Sequence, residues 1–331
     1  MIRLAVVGTS AITEKFLAAC RLTGRYSFSA VYSRDKLRGE RFAAANGIEK
    51  SFSDLRALAC DPETDAVYIA TPNVFHYAQS RLFLEHGKHV ICEKPIVTDV
   101  RQYDELSEIS KKNGLVYIEA IMSRHCRGRD TLLSAVRQIG KISQARLDYC
   151  QLSSRYAAYQ SGGHVNIFDM SLAAGTLMDL GVYCVYAAVD LLGVPRSISA
   201  SAAFLPGGAD CSGAAVFGYD GFTAALSYSK IGQGAAGSEI IGDRGTVKIA
   251  SVSQYAGISL VKDGGETPLL GMPPRGEVMS GEALKFAGYI ESSDESGDYE
   301  QVSALTHNVH ECMDRIKADA GIKYPIKEYC I

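Results

Sequence analysis

The sequence predicts an α/β protein in which a doubly wound parallel sheet is followed by an α+β domain with a mostly antiparallel sheet. In the first third of the chain, short apolar runs of strand length alternate with helical patterns, which indicates parallel strands buried on both faces. After about residue 121, several alternating strands follow one another with few helices between them, which is typical of antiparallel pairing. The length of 331 residues also suits two domains. We therefore expect domains over residues 1–121 and 122–331.

The first domain has five predicted strands, which cover residues 4–7, 26–32, 66–70, 89–92 and 116–119. Four helices are predicted between them, over residues 12–22, 37–46, 74–85 and 99–113. Ligands of such sheets bind beyond the carboxyl ends of the strands. The segments 8–13, 33–34, 71–76 and 93–95 are therefore the candidate site.

The second domain has predicted strands over residues 144–152, 197–205, 213–219 and 222–230, and a hairpin over 240–249 that turns at Gly242 to Gly245. Helices are predicted over 131–139, 176–192 and 300–320. Residues 264–281 are rich in glycine and proline, so we expect a loop there.

The composition excludes several functional classes. Apolar residues make up 47% and charged residues 21%, the net charge is −3, and the basic residues are scattered, so we expect no nucleic-acid partner. We expect no membrane span, because no run approaches about 18 consecutive apolar residues. The apolar run at the N-terminus is too short for a signal peptide, so we expect a soluble, cytoplasmic protein.

The cysteines and histidines predict neither a disulfide framework nor a metal site. The nine cysteines are odd in number and form no C-x-x-C pair, so we interpret them as small buried apolar residues in a reducing compartment. His307 and His310 have the spacing of a metal pair, but no third ligand lies nearby in the sequence. We therefore assign no metal.

A partial dinucleotide fingerprint lies at the first strand-to-helix turn. The full G-x-G-x-x-G pattern uses its second glycine for close approach to the pyrophosphate and its third for helix–strand packing. Here Ser10 and Thr13 occupy those places, so only the first glycine remains. A pyrophosphate could still bind at the helix N-terminus, and the alternative is a plain strand–turn–helix. The candidate cofactor residues of this turn are Gly8, Thr9, Ser10, Ala11 and Ile12.

Ser33 and Arg34 stand near the end of the second strand, where NAD-preferring sites usually place an acidic residue for the ribose 2′-hydroxyl. A hydroxyl and a guanidinium suit a 2′-phosphate instead, and Lys36 and Arg38 follow closely. Our hypothesis is a preference for NADP, with NAD as the second possibility. The alternative interpretation is a solvated, charged turn.

The third strand is followed by Thr71, Pro72 and Asn73, with His76 in the next helical turn. Asn73 is a reasonable N-cap, and it could also contact the nicotinamide end of a cofactor. His76 points either into the cleft or to solvent.

The fourth strand is followed by Glu93, Lys94 and Pro95. A lysine at the mouth of the cleft has a pKa that partial desolvation and a nearby cofactor can lower. Pro95 fixes its own φ and favours an extended backbone at Lys94, which holds the lysine side chain in one direction.

These segments together resemble the Gfo/Idh/MocA family of oxidoreductases. The resemblance begins with Cys92-Glu93-Lys94-Pro95, preceded by Ala70-Thr71-Pro72-Asn73 and His76. It continues through residues 117–120, through the second-domain run 175–183, and into residues 320–325 near the C-terminus. It therefore covers nearly the whole chain.

The resemblance implies a Rossmann domain, a C-terminal domain with an open, mostly antiparallel sheet, and bound NAD or NADP. It further implies that Lys94 and Asp179 line the substrate site. Glu93 and Lys94 are also candidates for cofactor binding. A histidine usually stands four residues after that aspartate, and here the residue is Tyr183. Tyrosine at this place resembles the branch with dimeric dihydrodiol dehydrogenases and glucose–fructose oxidoreductase. Similar proteins are dimers, so we expect a homodimer or a larger homo-oligomer.

The tyrosine also has a chemical interpretation. Hydride transfer at a carbinol carbon needs a group that gives or takes the hydroxyl proton. Tyrosine is a poor base unless a neighbouring cation favours its phenolate. Our hypothesis is that Tyr183 is the general acid/base and Lys94 its electrostatic partner, and the alternative is a half-buried structural tyrosine.

Two further residues are candidates for substrate binding. Asp179 stands four residues before Tyr183, so the two share a helix face if the helix is regular. Asp179 could orient a substrate hydroxyl or interact with the helix dipole. Arg155 follows a predicted strand and would suit a carboxylate or several hydroxyls.

We therefore predict a nicotinamide-dependent oxidoreductase that acts on a sugar, a polyol, a dihydrodiol or a small carbonyl compound. Two alternatives remain open. One is a hydrolase or epimerase of the same fold that uses bound NAD transiently. The other is a sensor that binds the dinucleotide without turnover, although such a protein would need no acid/base group.

Overall fold

The computed structural model describes residues 1–274, 277, 279–291 and 297–325, and these residues form two compact units. The first unit contains residues 1–121 and the described residues between 274 and 303. The second unit contains residues 122–273 and 304–325. Each unit is built around its own sheet. The ninth cysteine, Cys330, lies outside the described residues.

The sheet of the first unit has six parallel strands in the order β3-β2-β1-β4-β5-β6. The strands are β1 Ile2–Val7, β2 Tyr26–Tyr32, β3 Lys50–Phe52, β4 Ala66–Ile69, β5 His89–Glu93 and β6 Tyr117–Ala120. The helices are α1 Ala11–Thr23, α2 Lys36–Asn46, α3 Leu55–Ala59, α4 His76–Glu85 and α5 Val100–Lys112, with a 3-10 turn at Asn73–Phe75. This is the predicted doubly wound parallel sheet. The sequence patterns missed β3 and α3.

The helices of this unit end where the sequence supplies residues that stop them. Gly24 and Gly47 follow α1 and α2 in the left-handed conformation that glycine adopts without steric cost. Asp35 and Asp54 begin α2 and α3 as N-caps, because their carboxylates accept hydrogen bonds from the first helical N–H groups. The strands β1 and β4 are almost wholly buried, as expected for a sheet covered on both faces.

The sheet of the second unit has eight strands in the order β14-β13-β12-β11-β7-β10-β9-β8. The strands are β7 Ile142–Cys150, β8 Ser197–Phe204, β9 Asp210–Gly218, β10 Thr223–Ser229, β11 Ser238–Gly242, β12 Gly245–Ser251, β13 Ala256–Lys262 and β14 Gly265–Leu270. Strands β7 and β10 pair in parallel and the other neighbours pair antiparallel. The mostly antiparallel sheet is therefore confirmed, and so is the hairpin in which Gly242 opposes Gly245.

The helices of the second unit are α6 Arg127–Val136, α7 Tyr156–Gln160 and α8 Val182–Leu192. Short 3-10 turns lie at Met122–His125, Asn166–Phe168 and Met170–Leu172, and a π-helical turn at Leu177–Gly181 leads directly into α8.

The loop predicted over residues 264–281 is wrong at its two ends, while the described residues between Gly271 and Met279 form no helix or strand. Residues Gly265–Leu270 form β14, which pairs with β13, and a helix begins at Ser280. The side chains of β14 are mostly exposed, so this strand lacks the apolar alternation by which edge strands are recognised in a sequence. Backbone pairing with β13 supplies its order instead.

The last two helices are α9 Ser280–Glu291 and α10 Asp298–Ala320. Helix α9 packs on α1, and the hydroxyl of Tyr26 donates a hydrogen bond of 2.5 Å to the carbonyl of Ala283. The described residues between 274 and 303 therefore belong with the first unit, whereas we assigned all of residues 122–331 to a second domain. The reason is a long-range contact, which local sequence patterns do not reveal.

One helical run, Met170–Leu192, is long and apolar enough to pass a test for membrane spans by length and composition alone, although it is interrupted by polar residues such as Asp179. Within the second unit, 83% of its apolar window is buried. Core helices of globular proteins pass the same test, because a helix that is apolar all round is stable wherever it is fully buried.

A buried ion pair joins α6 to α8. The guanidinium of Arg129 donates to both carboxylate oxygens of Asp190, at 2.7–3.0 Å, and the Asp190 side chain is only 3% exposed. A buried carboxylate that has lost its partner costs far more than an exposed one, because nothing replaces its hydration.

We expect Arg129→Met to lower the free energy of unfolding by about 3–5 kcal/mol, because it leaves Asp190 buried and unpaired. The matched control is Arg196→Met. Arg196 pairs with Asp220 at 2.7 Å, but both side chains are more than 70% exposed, so its loss should cost about 1 kcal/mol or less. Urea denaturation measures both, and equal losses in the two variants would contradict the argument.

Candidate active site

Gly8 brings the ends of β1 and β4 together. Its φ is +113°, and a Cβ atom at this position would lie 2.7 Å from the carbonyl oxygen of Ala70. Its own N–H donates to the carbonyl of Tyr32 at 3.1 Å, across to β2. Only glycine fits this position, because both the conformation and the space exclude a side chain.

The beginning of α1 follows immediately. Ser10 is the N-cap residue, but its side chain makes no capping hydrogen bond and instead lies 3.3 Å from the hydroxyl of Thr13. Thr13 is fully buried. The N–H groups in the first turn of a helix are the usual donors to a pyrophosphate. The predicted residues Thr9, Ala11 and Ile12 lie in this same turn.

A cavity of about 380 Å³ lies at the carboxyl ends of β2, β3 and β4, lined by the segments that follow these strands. Pockets of this size hold small ligands. Among the predicted residues, Arg34, Thr71 and Pro72 line it. The sequence analysis missed the other lining residues, which are Tyr32, Ser53, Asp54, Leu55, Arg56, Phe75 and Gln79.

Two guanidinium groups lie at the end of β2. The guanidinium of Arg34 is 5.5 Å from the ring centroid of Phe75, within the range of a cation–π contact. That of Arg38 donates to the carbonyl of Thr9 at 3.1 Å and so reaches the glycine turn. Ser33 is buried, and its N–H donates to the carbonyl of Phe52.

His76 connects two turns of the site. Its Nδ1 lies 2.8 Å from the carbonyl oxygen of Pro95, and its Nε2 lies 2.8 Å from that of Thr71. The residue is fully buried, so both orientations that we considered, into the cleft or to solvent, are wrong. Burial lowers the pKa of His76, against the effect of the two carbonyl oxygens. Its position fixes the turn after β4 relative to the turn after β5.

Asn73 begins the short 3-10 turn before α4, while Phe75 occupies the N-cap position of α4 itself. Asn73 therefore stands at the start of the helical segment that leads into α4, and both interpretations of its side chain stay predictions.

Buried side chains also hold the turn that carries Lys94. The hydroxyl of Tyr68 donates to Glu93 at 2.6 Å, and the N–H of Ile96 donates to the carboxylate of Glu119 at 3.0 Å. The Lys94–Pro95 peptide bond is cis. Burial raises the pKa of Glu93. Glu93 is therefore held by Tyr68 beneath the turn that carries Lys94, and its place among the cofactor contacts stays a prediction.

A second buried carboxyl group, Glu282 of α9, also belongs to the first unit and was missed. Both of its oxygens are buried without a hydrogen-bond partner. Burial raises its pKa well above the usual range, and the charge of Glu93 raises it further. No local pattern identifies such a residue, since its burial comes from the packing of α9.

In the second unit, Asp179 forms an ion pair with Lys230, whose Nζ lies 2.5 Å from Oδ2 of Asp179. The two side chains differ in exposure: 40% for Asp179 and 5% for Lys230. The ammonium group also lies 5.7 Å from the ring centroid of Phe168. Lys230 was not predicted, because it lies far from Asp179 in the sequence.

The backbone around Asp179 is a π-helical turn, Leu177–Gly181, and not the regular helix that we assumed. Asp210 supports its start, since its carboxylate accepts a hydrogen bond of 2.6 Å from the N–H of Leu177. A Cβ atom on Gly175 would collide with this carboxylate. Single π-helical turns are frequent at functional sites.

Tyr183 lies in the first turn of α8 and is 6% exposed. Its ring contacts that of Tyr149 edge-on, with the centroids 5.6 Å apart. Arg155 is exposed at the start of α7. The same part of the second unit holds an aromatic cluster of Tyr156, Tyr159 and Phe168, with centroids 5.2–6.5 Å apart.

Two parts of the chain match models of one known protein family. Residues 2–121 match the oxidoreductase family with an NAD-binding Rossmann fold, GFO/IDH/MocA, and residues 133–248 match the GFO/IDH/MocA C-terminal domain. The chain belongs to the Gfo/Idh/MocA oxidoreductases. This confirms the predicted resemblance, the Rossmann domain and the assignment to an enzyme class.

Several members of the family are similar along the chain. The scyllo-inositol 2-dehydrogenase (NADP(+)) IolU of Bacillus subtilis is 37% identical over 98% of this chain and 99% of that protein. The trans-1,2-dihydrobenzene-1,2-diol dehydrogenase of Oryctolagus cuniculus is 32% identical over 54% of each chain. The fold resembles that of KijD10, a 3-ketoreductase from Actinomadura kijaniata, with a TM-score of 0.86, 22% identity, and coverage of 96% of this chain and 98% of that one.

We expect His76→Asn to weaken NADP binding by about tenfold or more, because one buried carbonyl loses its partner and the two turns can separate. The matched control is His86→Asn at the end of the same helix. His86 is exposed and approaches one carbonyl, that of Leu82. Titration calorimetry measures the affinity, and an unchanged dissociation constant in His76→Asn would contradict the positioning role.

Proposed function

We propose that the chain is an NADP-preferring dehydrogenase that transfers a hydride between the nicotinamide cofactor and a polyol, sugar, dihydrodiol or small carbonyl compound. The observation that carries the cofactor preference is the pair of guanidinium groups, Arg34 and Arg38, at the end of β2. Guanidinium groups bind phosphate oxygens through several charge-assisted hydrogen bonds. The NADP(+) named for the Bacillus subtilis relative supports the same preference.

The carboxylates near this position support NADP as well. Asp35 accepts a hydrogen bond of 3.0 Å from the N–H of Arg38, and Asp54 accepts one of 2.8 Å from the N–H of Arg56. Both carboxylates are thus engaged as helix caps. The place where an acidic residue would bind a ribose 2′-hydroxyl holds Ser33 and Arg34 instead.

The proposed proton transfer uses Tyr183 and Lys94. When bound, the nicotinamide cofactor would supply the hydride chemistry, and the residues of this chain would handle the proton. In the oxidative direction, Tyr183 accepts the proton that the substrate hydroxyl loses as the carbonyl forms. Lys94 stabilises the phenolate of Tyr183 and polarises the substrate oxygen, because a cation favours the charged form of a neighbouring tyrosine. Asp179 orients the substrate through its hydroxyl groups, and Arg155 contributes to the rim.

A neutral substrate with neighbouring hydroxyl groups is the leading choice. scyllo-Inositol and trans-1,2-dihydrobenzene-1,2-diol, named for the two relatives, share a ring with hydroxyls on adjacent carbons. A half-exposed carboxylate such as Asp179 accepts hydrogen bonds and so suits hydroxyl donors. scyllo-Inositol is therefore the first substrate to assay.

We propose further that the protein is a cytoplasmic homodimer or larger homo-oligomer that associates through the outer face of the eight-stranded sheet. Val216, 48% exposed on this face, lies in a row with Ser199 and Ala225. Small side chains let a second sheet approach closely, and exposed apolar residues commonly mark interfaces.

The cysteines support the proposed cytoplasmic location. The eight described cysteines are free, as is usual in a reducing compartment.

Arg34→Ala should lower the preference for NADP over NAD, expressed as the ratio of kcat/KM values, by about tenfold or more, because a charged hydrogen bond to the 2′-phosphate is lost. The matched control is Arg101→Ala, since Arg101 is 86% exposed in the same unit and outside the cavity lining. Steady-state rates with both cofactors measure the ratio. An unchanged ratio in Arg34→Ala would leave this turn as a solvated surface feature.

Tyr183→Phe should reduce kcat with scyllo-inositol by about 10²–10⁴-fold, because the proton acceptor is gone, while NADP affinity stays the same. Tyr186→Phe is the control: Tyr186 is a buried tyrosine of the same helix, and its hydroxyl lies 3.0 Å from that of Thr306. It should retain near-normal turnover. Near-normal turnover in Tyr183→Phe would refute the acid/base role. In the unmodified protein, NADPH formation limited to one equivalent per site would favour a sensor.

A further inference from the structure

Lys230 is held firmly at the end of β10. Its N–H donates to the carbonyl of Cys211 at 3.0 Å, and its own carbonyl accepts a hydrogen bond of 2.9 Å from Ser153. These bonds tie its backbone to the segments on both sides. The side chain is 5% exposed and reaches Asp179 at 2.5 Å. The ammonium group is therefore fixed in place before any ligand arrives.

The difference in exposure decides which of the two charges a ligand meets. A buried ammonium group is tolerated only where a partner compensates its charge, and Asp179 is that partner. Because the Asp179 side chain is 40% exposed and that of Lys230 only 5%, a ligand meets the carboxylate and not the cation. A carboxylate oxygen has two lone pairs, so a bond to Lys230 does not exhaust it as an acceptor.

The titratable groups around Lys230 in the described part of the second unit include a carboxyl group and tyrosines. Asp210 faces Lys230, and burial raises the pKa of Asp210 while the charge of Lys230 opposes that rise. Tyr228 and Tyr324 lie next to Asp210, and burial raises the pKa of each. Tyr183 follows on the helix that the π-helical turn begins. Lys230 is thus the cation that acts on Asp179 among these groups.

We propose that Lys230 is a positioning residue that keeps Asp179 ionised and oriented as an acceptor for adjacent hydroxyl groups of a neutral polyol. The role of Asp179 in substrate binding rests on the proposed function; the action of Lys230 on Asp179 does not. The arrangement selects hydroxyl donors over anionic substrates, because the exposed member of the pair is negatively charged.

The test compares Lys230→Met and Lys230→Arg with Asp179→Asn, using scyllo-inositol and NADP⁺ across a pH series. Loss of the cation makes Asp179 easier to protonate, so activity should disappear at higher pH than in the unmodified enzyme. In Lys230→Met the acidic limb of kcat/KM should move up by about one to three pH units. The loss should be largest at low pH, with the affinity for NADP⁺ unchanged. Lys230→Arg should restore the limb, and Lys112→Met, at an exposed lysine of the first unit, should change nothing.

A second measurement reads the ion pair without catalysis. In protein labelled with ¹³C at the aspartate carboxyl carbons, the Asp179 resonance is the one missing from Asp179→Asn. Relative to the unmodified protein, its titration midpoint should rise in both variants, but less in Lys230→Arg than in Lys230→Gln. Lys230→Gln is used because it keeps a polar side chain and so provides a second test should Lys230→Met fail to fold. The shift expected for Lys230→Gln is about one unit or more.

The outcomes separate the two proposals. A rate loss of the same factor at every pH, or a titration midpoint that does not move, would overturn the positioning role of Lys230. Full activity in Asp179→Asn, together with a shifted midpoint in Lys230→Gln, would retain the ion pair but remove Asp179 from the substrate site. Faster turnover of a sugar acid than of scyllo-inositol would contradict the preference for neutral polyols.

Discussion

The contact between Gly8 and the carbonyl of Ala70 determines where β1 and β4 end relative to each other. Thr71, the residue after Ala70, lines the cavity at the carboxyl ends of the strands, so this close approach also positions one side of that cavity. From the carbonyl of Thr71, His76 carries the same constraint to the carbonyl of Pro95 and so to the turn of Lys94. Three loops that are distant in sequence are thus held together, because Gly8 has no side chain and the buried imidazole of His76 lies between two of them.

The second unit positions its polar groups with buried charges. The carboxylate of Asp210 accepts a hydrogen bond from the first N–H of the π-helical turn that contains Asp179. The buried ammonium group of Lys230 forms an ion pair with Asp179. Buried ion pairs contribute little net stability, since desolvation offsets much of their attraction. The value of the two contacts here is geometric: Asp210 fixes the start of the π-helical turn, and Lys230 fixes the side chain of Asp179 within it.

Sequence patterns predicted the elements whose order is local. The predicted strand over residues 26–32 matches β2, and the predicted helix over residues 37–46 matches α2 to within one residue. Short β3 and exposed β14 were missed, because neither has enough apolar periodicity. Because β3 was not predicted, the residues that follow it and line the cavity, Ser53 to Arg56, were missed as well. Lys230 was missed for a different reason: its importance comes from a contact with Asp179, about fifty residues away in the chain.

The incomplete glycine fingerprint has a structural explanation. Ser10 has φ −90° and ψ 168°, a conformation open to any residue, so its position does not require glycine. Thr13 is fully buried at the place of the third glycine, and its hydroxyl lies 3.3 Å from that of Ser10. The two substitutions therefore support each other, since the serine offers a partner for a hydroxyl that burial would otherwise leave unsatisfied. Only Gly8, with its positive φ and its contact at Ala70, cannot be replaced in this way.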